Sequence, residues 1–174
     1  STRHIKVCLL DIRNESTVDA YTRYRSGVHS AEKEGGWDAS RVKREVAATI
    51  VRLACRASVE PLLDVSIALS TTFSTFRYDA SDSLGVITRE DPRDPAIAVP
   101  PETRLFAAIR DEVQLSLNAG YVLPKLISPY KLEQITGAHV GEILTAMGLA
   151  ILQFSDSELD LIGSTARDAR NPYV

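Results

Sequence analysis

The sequence predicts an α+β domain in which an antiparallel sheet, its strands preceding Thr88, is followed by two helices after Pro101. Three observations carry this expectation. Val65, Ile67, Leu69, Thr71 and Phe73 recur at the two-residue period of a strand and are rich in strand formers. Phe106, Ile109, Val113 and Leu117 recur at the spacing of one helix face. Between them, Arg89 to Pro101 holds Pro92, Pro95, Pro100 and Pro101 among charges, a composition that suits a connector and not a ladder.

The elements follow in order. Ile5 to Ile12 sets Ile5, Val7 and Leu9 on one parity and Cys8, Leu10 and Ile12 on the other, the pattern of a strand buried on both faces for part of its length. Residues 14 to 40 are polar and punctuated by Gly27 and Gly35-Gly36, with Tyr21, Tyr24 and Trp37 as large anchors. Val18 to Arg25 fits either a strand or one helical turn. Residues 42 to 59 carry two periods at once: Val42, Val46, Ile50, Leu53 and Ala57 mark a helical face, while Val51, Leu53, Cys55, Ala57 and Val59 alternate. A strand is expected from about Ala48 onward, because Arg52, Arg56 and Ser58 then share the solvent side, and Pro61 ends it.

In the strand from Val65, parity shifts at Phe76 and Tyr78, which predicts a bulge near Ser74. Asp79 to Ser83 reads as a turn and Leu84 to Thr88 as a short further strand. Pro101-Glu102 opens the first helix, since proline fits a first turn and an acid suits its positive end, and Asn118-Ala119-Gly120 stops it. Ser128 caps the second helix with Pro129 just inside; Leu132, Ile135, Val140, Ile143, Leu144, Met147 and Ile151 carry it to about residue 152. Gly137 and Gly141 sit four apart on it, suited either to a tight contact between subunits or to close packing on its own sheet. Ser155-Asp156-Ser157-Glu158 is a capping box that predicts a short helix through Leu161 before a frayed tail to residue 174. The whole chain, 1–174, reads as one domain without repeats or low-complexity tracts.

Composition narrows the function. With 44% hydrophobic and 25% charged residues the chain is globular and not disordered. Its net charge is 20 − 23 = −3, and no Lys/Arg stripe gives it the basic face of a nucleic-acid binder; Arg41, Lys43 and Arg44 read as a solvated face beside Glu45. Cys8 and Cys55 both lie in apolar runs, as small core residues in a reducing compartment. Without a cationic segment and apolar stretch at its start, or an apolar run long enough to span a bilayer, a cytoplasmic protein with no membrane insertion is expected.

Catalytic signatures are missing too. No G-x-S-x-G elbow, P-loop or G-x-G-x-x-G occurs, and the acids at Glu90-Asp91 and Asp94 sit in the proline-rich connector. His139 and Glu142, three apart on a helix, are two potential metal ligands without further ones at a known spacing, and read as a surface pair. No enzyme, cofactor or metal is expected.

From Phe106 to Leu132 the chain resembles the SecB-type chaperones. Phe106, Arg110 and Asp111 match that family's aromatic–Arg–acid order, with Val113 at its apolar position and Gly120 at the glycine ending its first helix. Leu123-Pro124-Lys125-Leu126 resembles its proline-bearing segment, one residue displaced, and Pro129 falls at its second-helix proline. Thr49 to Val59 and Val65 to Phe76 look like its paired strands, so the likeness covers about residues 46 to 150. It implies a four-stranded antiparallel sheet backed by two helices, a homotetramer, and unfolded client polypeptides held in a groove without ATP.

The chain also departs from the export members. Where they carry an acid used in docking the SecA motor, it has Ile67-Ala68-Leu69, and the polar insert from Gly27 to Trp37 and the tail after Gln153 also fit poorly. A dedicated chaperone of a toxin–antitoxin set or a phage is therefore the closer expectation, and a catalytically silent subunit of a viral or phage assembly the alternative. Phe73, Phe76 and Tyr78 are expected to face Leu126, Ile127, Tyr130 and Leu132 across an apolar client groove. Phe106, Ile109, Val113 and Leu117 are expected to serve the oligomer interface.

Overall fold

The computed structural model describes residues 2–28, 35–91, 93–125 and 128–168. It has an α+β architecture with two sheets of three strands each, not one sheet of four. In the first sheet β1 (Arg3–Leu10) and β2 (Leu63–Ser70) run parallel with Cys8 opposite Ala68, and a later strand, Tyr121–Val122, adds antiparallel on the far side of β2. Parallel neighbours need a long crossover, and here it consists of two helices, α1 (Glu15–Ser26) and α2 (Ala39–Val59). The second sheet is an antiparallel meander of β3 (Phe76–Ala80), β4 (Gly85–Arg89) and β5 (Ile97–Val99). Helix α3 (Arg104–Ala119) then leads into β6, the Tyr121–Val122 strand of the first sheet, and α4 (Gly137–Ala146) and α5 (Asp156–Arg167) follow.

Residues 42–59 are helical, which corrects the strand expected from Ala48. Asp38 starts α2 by accepting a hydrogen bond from Arg41 N–H at 2.7 Å. The helix buries Val42, Ala47, Ala48, Ile50, Val51, Ala54 and Cys55, because β2 lies on one side of it and α4 and α5 on the other. Enclosure from several sides blurs the one-face pattern of a surface helix, so a stretch of it also alternates like a strand. Arg52, expected in solvent, is only 4% exposed. Its Nε donates to the Ala166 carbonyl at 2.7 Å, and Nη2 donates to those of Thr165 (3.1 Å) and Asp168 (2.6 Å), satisfying the end of α5.

Strand β2 stops at Ser70, so Phe73 and Phe76 do not share a bulged strand; Phe76 begins β3. The connector is not wholly irregular: its prolines flank β5, which pairs Val99 with Gly85 at the edge of the second sheet. Helix α3 begins at the Thr103 cap, which accepts from Phe106 N–H at 3.2 Å, and ends at Gly120 as expected. The second predicted helix is broken. Ser128 does not cap it but accepts from Tyr130 N–H at 3.1 Å; a single 3-10 turn covers Leu132–Gln134, and α4 starts from Thr136. Gly137 and Gly141 lie against Asp160 and Leu159, so their close packing is on α5 and not on the sheet. The Ser155 capping box forms as predicted, and α5 runs on to Arg167.

Two apolar cores result. The main one unites Ile67 and Leu69 of β2 with α2, α4 and α5, Ile12 and Val18. The smaller one holds Val99, Phe106 and Ile109 with Tyr78, Ile87 and Val113 beside them. Helix α3 joins the two sheets: its first half packs on the second sheet, and its last turn meets the first, where Gly120 abuts Ala68 and the Cys8 thiol approaches the Ser116 carbonyl at 3.8 Å.

Candidate polar site at the carboxyl ends of the parallel strands

In a parallel pair, side chains beyond the carboxyl ends of the strands converge with the start of the following helix, the usual position of a binding site in α/β sheets. Here the apolar run of β1 ends in Asp11, and β2 ends in Ser70-Thr71-Thr72. The two ends are tied together, since Asp11 N–H donates to the Ser70 carbonyl at 2.7 Å. Asp11 is 6% exposed and ionised beside Arg13, whose Nε donates to Oδ1 at 2.9 Å and whose Nη2 donates to Oδ2 at 2.8 Å. That fork lowers the Asp11 pKa and raises that of Arg13. The guanidinium carbon of Arg13 stands 4.1 Å from the centre of the Tyr121 ring, which covers one of its faces.

Asn14 then opens α1. Its Oδ1 accepts from Thr17 N–H at 3.0 Å and from the Ser16 hydroxyl at 2.9 Å. The Thr17 hydroxyl lies 3.0 Å from the Thr71 carbonyl, and the Ser70 and Thr72 hydroxyls are 3.1 Å apart. The result is a row of hydroxyls on the loops that follow the two strands, with one cation held by Asp11 just before the start of α1. It holds no nucleophile paired with a base, and among the described residues no three His, Cys, Asp or Glu side chains gather as a metal site would need.

Among the described residues, those expected to line the client groove are not brought together. Leu126 and Ile127 lie outside the described residues. Phe73 packs edge-on against Tyr21 at 5.3 Å, Tyr78 belongs to the small core, and Phe76 is 44% exposed under Arg89. Tyr130 and Leu132 pack instead on the main core, with the Tyr130 ring stacked 3.8 Å from that of His139. Of the face assigned to an oligomer interface, Phe106 and Ile109 are buried in the core of the protein's own second sheet with Val113 packed beside them, while Leu117, in the last turn of α3, is half-buried. His139 and Glu142 are engaged locally: the imidazole Nδ1 accepts from Thr136 N–H and the carboxylate accepts from the Tyr130 hydroxyl. Ile67, Ala68 and Leu69 are buried.

An open cavity of about 530 Å³ lies elsewhere, between Gly35–Asp38, the start of α2, and Leu161 and Thr165 of α5. Within its lining Arg41 lies 4.5 Å over Trp37 and 3.8 Å from Glu45. The carboxyl edge is the better site: its cation is anchored by Asp11 and still partly exposed. Sequence reading missed it, although an apolar run closed by Asp11 and followed by Arg13, Asn14, Ser16 and Thr17 was a legible signal. No helix among the described residues is long and apolar enough to cross a membrane. No family model, curated protein or solved structure matches the chain.

Proposed function

We propose that this protein is a non-catalytic binding domain that captures an oxyanion group of a partner at the carboxyl edge of its parallel strand pair. The observation that supports it is Arg13, held in a fork by the nearly buried Asp11 while a quarter of its own side chain, 26%, faces solvent. A guanidinium has five N–H donors, and two are committed to Asp11. The outer ones are pre-oriented, so little side-chain entropy is lost when a carboxylate or phosphate docks. Ser16 and Thr72, exposed on the segments that follow the two strands, would supply further hydroxyl contacts. Titration of the labelled protein with an acidic peptide, and separately with inorganic phosphate, tests this by amide shifts. Saturable shifts at residues 13–17 and 70–72, lost in the Asp11→Asn/Arg13→Gln double variant, are expected. Shifts confined to other surfaces would refute it.

A second reading keeps the SecB-like holdase, supported by residues 106–132 and by exposed apolar groups: Phe73 at 37%, Phe76 at 44%, Leu84 at 44% and Ile97 at 50%. In that reading Phe76→Ser weakens suppression of client aggregation while Arg13 variants do not, so the two proposals separate in one assay.

A further inference from the structure

We infer that the open edge of β1 pairs antiparallel with β1 of a second copy, across a two-fold axis at Val7. β1 lies at the end of the strand order β1-β2-β6, bonded to β2 alone. Arg3 N–H donates to the Leu62 carbonyl and Asp11 N–H to that of Ser70, both at 2.7 Å, so the odd-numbered residues turn their backbone groups toward β2. In a parallel ladder the even ones then turn away. The N–H and C=O of His4, Lys6, Cys8 and Leu10 therefore form a free ladder, and among the described residues no backbone bond reaches it. Val7 to Leu10 is at the same time an uninterrupted apolar run, the composition of an interior strand and not of a protected edge.

The edge is complementary to itself. Outward groups must meet outward groups, so an even residue pairs with an even one, and two registers give the greatest overlap. One sets Lys6 against the partner's Lys6, a like-charge pair that opposes association. The other puts Val7 on the axis, Lys6 opposite the partner's Cys8, and His4 opposite the partner's Leu10. Ile5, 41% exposed in the single chain, gains the partner's Leu9 as its cross-strand neighbour. A continuous sheet of order β6-β2-β1-β1-β2-β6 results, with α3 of both copies on the same face. The pairing ends at Asp11, next to the Arg13 site, but the substitutions that test it, at Lys6, Val7 and Ile5, leave Asp11 and Arg13 unchanged.

Light scattering over a concentration series reads the proposal directly. The expected result is a monomer–dimer equilibrium complete by about 200 μM. Lys6→Pro deletes one outward N–H and no bond to β2, so it should weaken the dimer at least about tenfold while the far- and near-UV circular dichroism stay those of the parent. Val7→Cys should cross-link to itself under mild oxidation, because residues directly opposite in a non-hydrogen-bonded pair have Cα atoms about 4.5 Å apart, within disulfide reach. Ile5→Cys should not. A monomer throughout the series would overturn the inference. So would a dimer indifferent to a folded Lys6→Pro variant and lacking the Val7→Cys cross-link, which would assign the interface to another surface.

Discussion

Arg52 stays buried because three carbonyls at the end of α5 accept its donors. Burial, and then the neighbouring charge of Arg56, pull its pKa down. Charged hydrogen bonds of this kind contribute about 1.5–3 kcal/mol each, less the cost of desolvating the cation. Arg52→Met should therefore lower unfolding stability by roughly 3 kcal/mol in a urea titration, and Arg52→Lys should restore only part, since an ammonium cannot span the same carbonyls. Asp11 is shifted down as well, but by its hydrogen bonds to Arg13 and not by burial, so here the charged form is favoured. Its folded pKa lies below the ordinary 3.8, so the Asp11–Arg13 pair stabilises the fold fully above that value and loses its contribution as pH falls through the folded one. Stability measured between pH 5 and pH 2 should fall less steeply in Asp11→Asn than in the parent protein. Sequence reading made Arg52 a solvent residue and passed over Asp11, because burial of a charge depends on partners more than a hundred positions away for one and on the convergence of two strand ends for the other.

Among the elements, those defined by local chemistry were legible. The Ser155–Glu158 capping box, the Gly120 stop and the strands starting near Val65 and Leu84 all stand in the structure within a few residues of their expected places. Elements whose pattern depends on what surrounds them were not. Helix α2 reads partly as a strand because it is enclosed on more than one side, and the helix expected from Ser128 gives way to a second, stronger cap at Thr136, whose hydroxyl and His139 imidazole satisfy each other's backbone N–H groups. The junction at Gly120 illustrates how tightly two elements meet. A Cβ there would stand 3.0 Å from the Leu69 carbonyl, 3.1 Å from the Ala68 Cβ and 3.2 Å from the Ser116 carbonyl, none of which is a movable side-chain end. Gly120→Ala should destabilise by about 1–3 kcal/mol, read as a lower midpoint of thermal unfolding.

For the molecule as a whole, the two cores differ in size, and that sets where it opens first. The first sheet is backed by α2, α4 and α5, whereas the second rests on Phe106 and Ile109 of α3 and little else. Amide hydrogen exchange should accordingly be faster across β3–β5 than across the central ladder of β2, and Phe106→Ala, at about 3–5 kcal/mol, should loosen the second sheet before the first. Equal protection in both sheets would show a single cooperative unit instead. The sequence by itself determined the α+β class, the main strand and helix segments carrying their own periodicity, and the caps, because these follow from interactions within a few residues of chain. Only the tertiary structure decided that β1 and β2 run parallel, that there are two sheets, that Phe106 and Ile109 close a second core, and that Asp11, Arg13 and Ser70 meet at one edge. Strand direction and the meeting of distant side chains depend on how the α1–α2 crossover packs, and no local period records that.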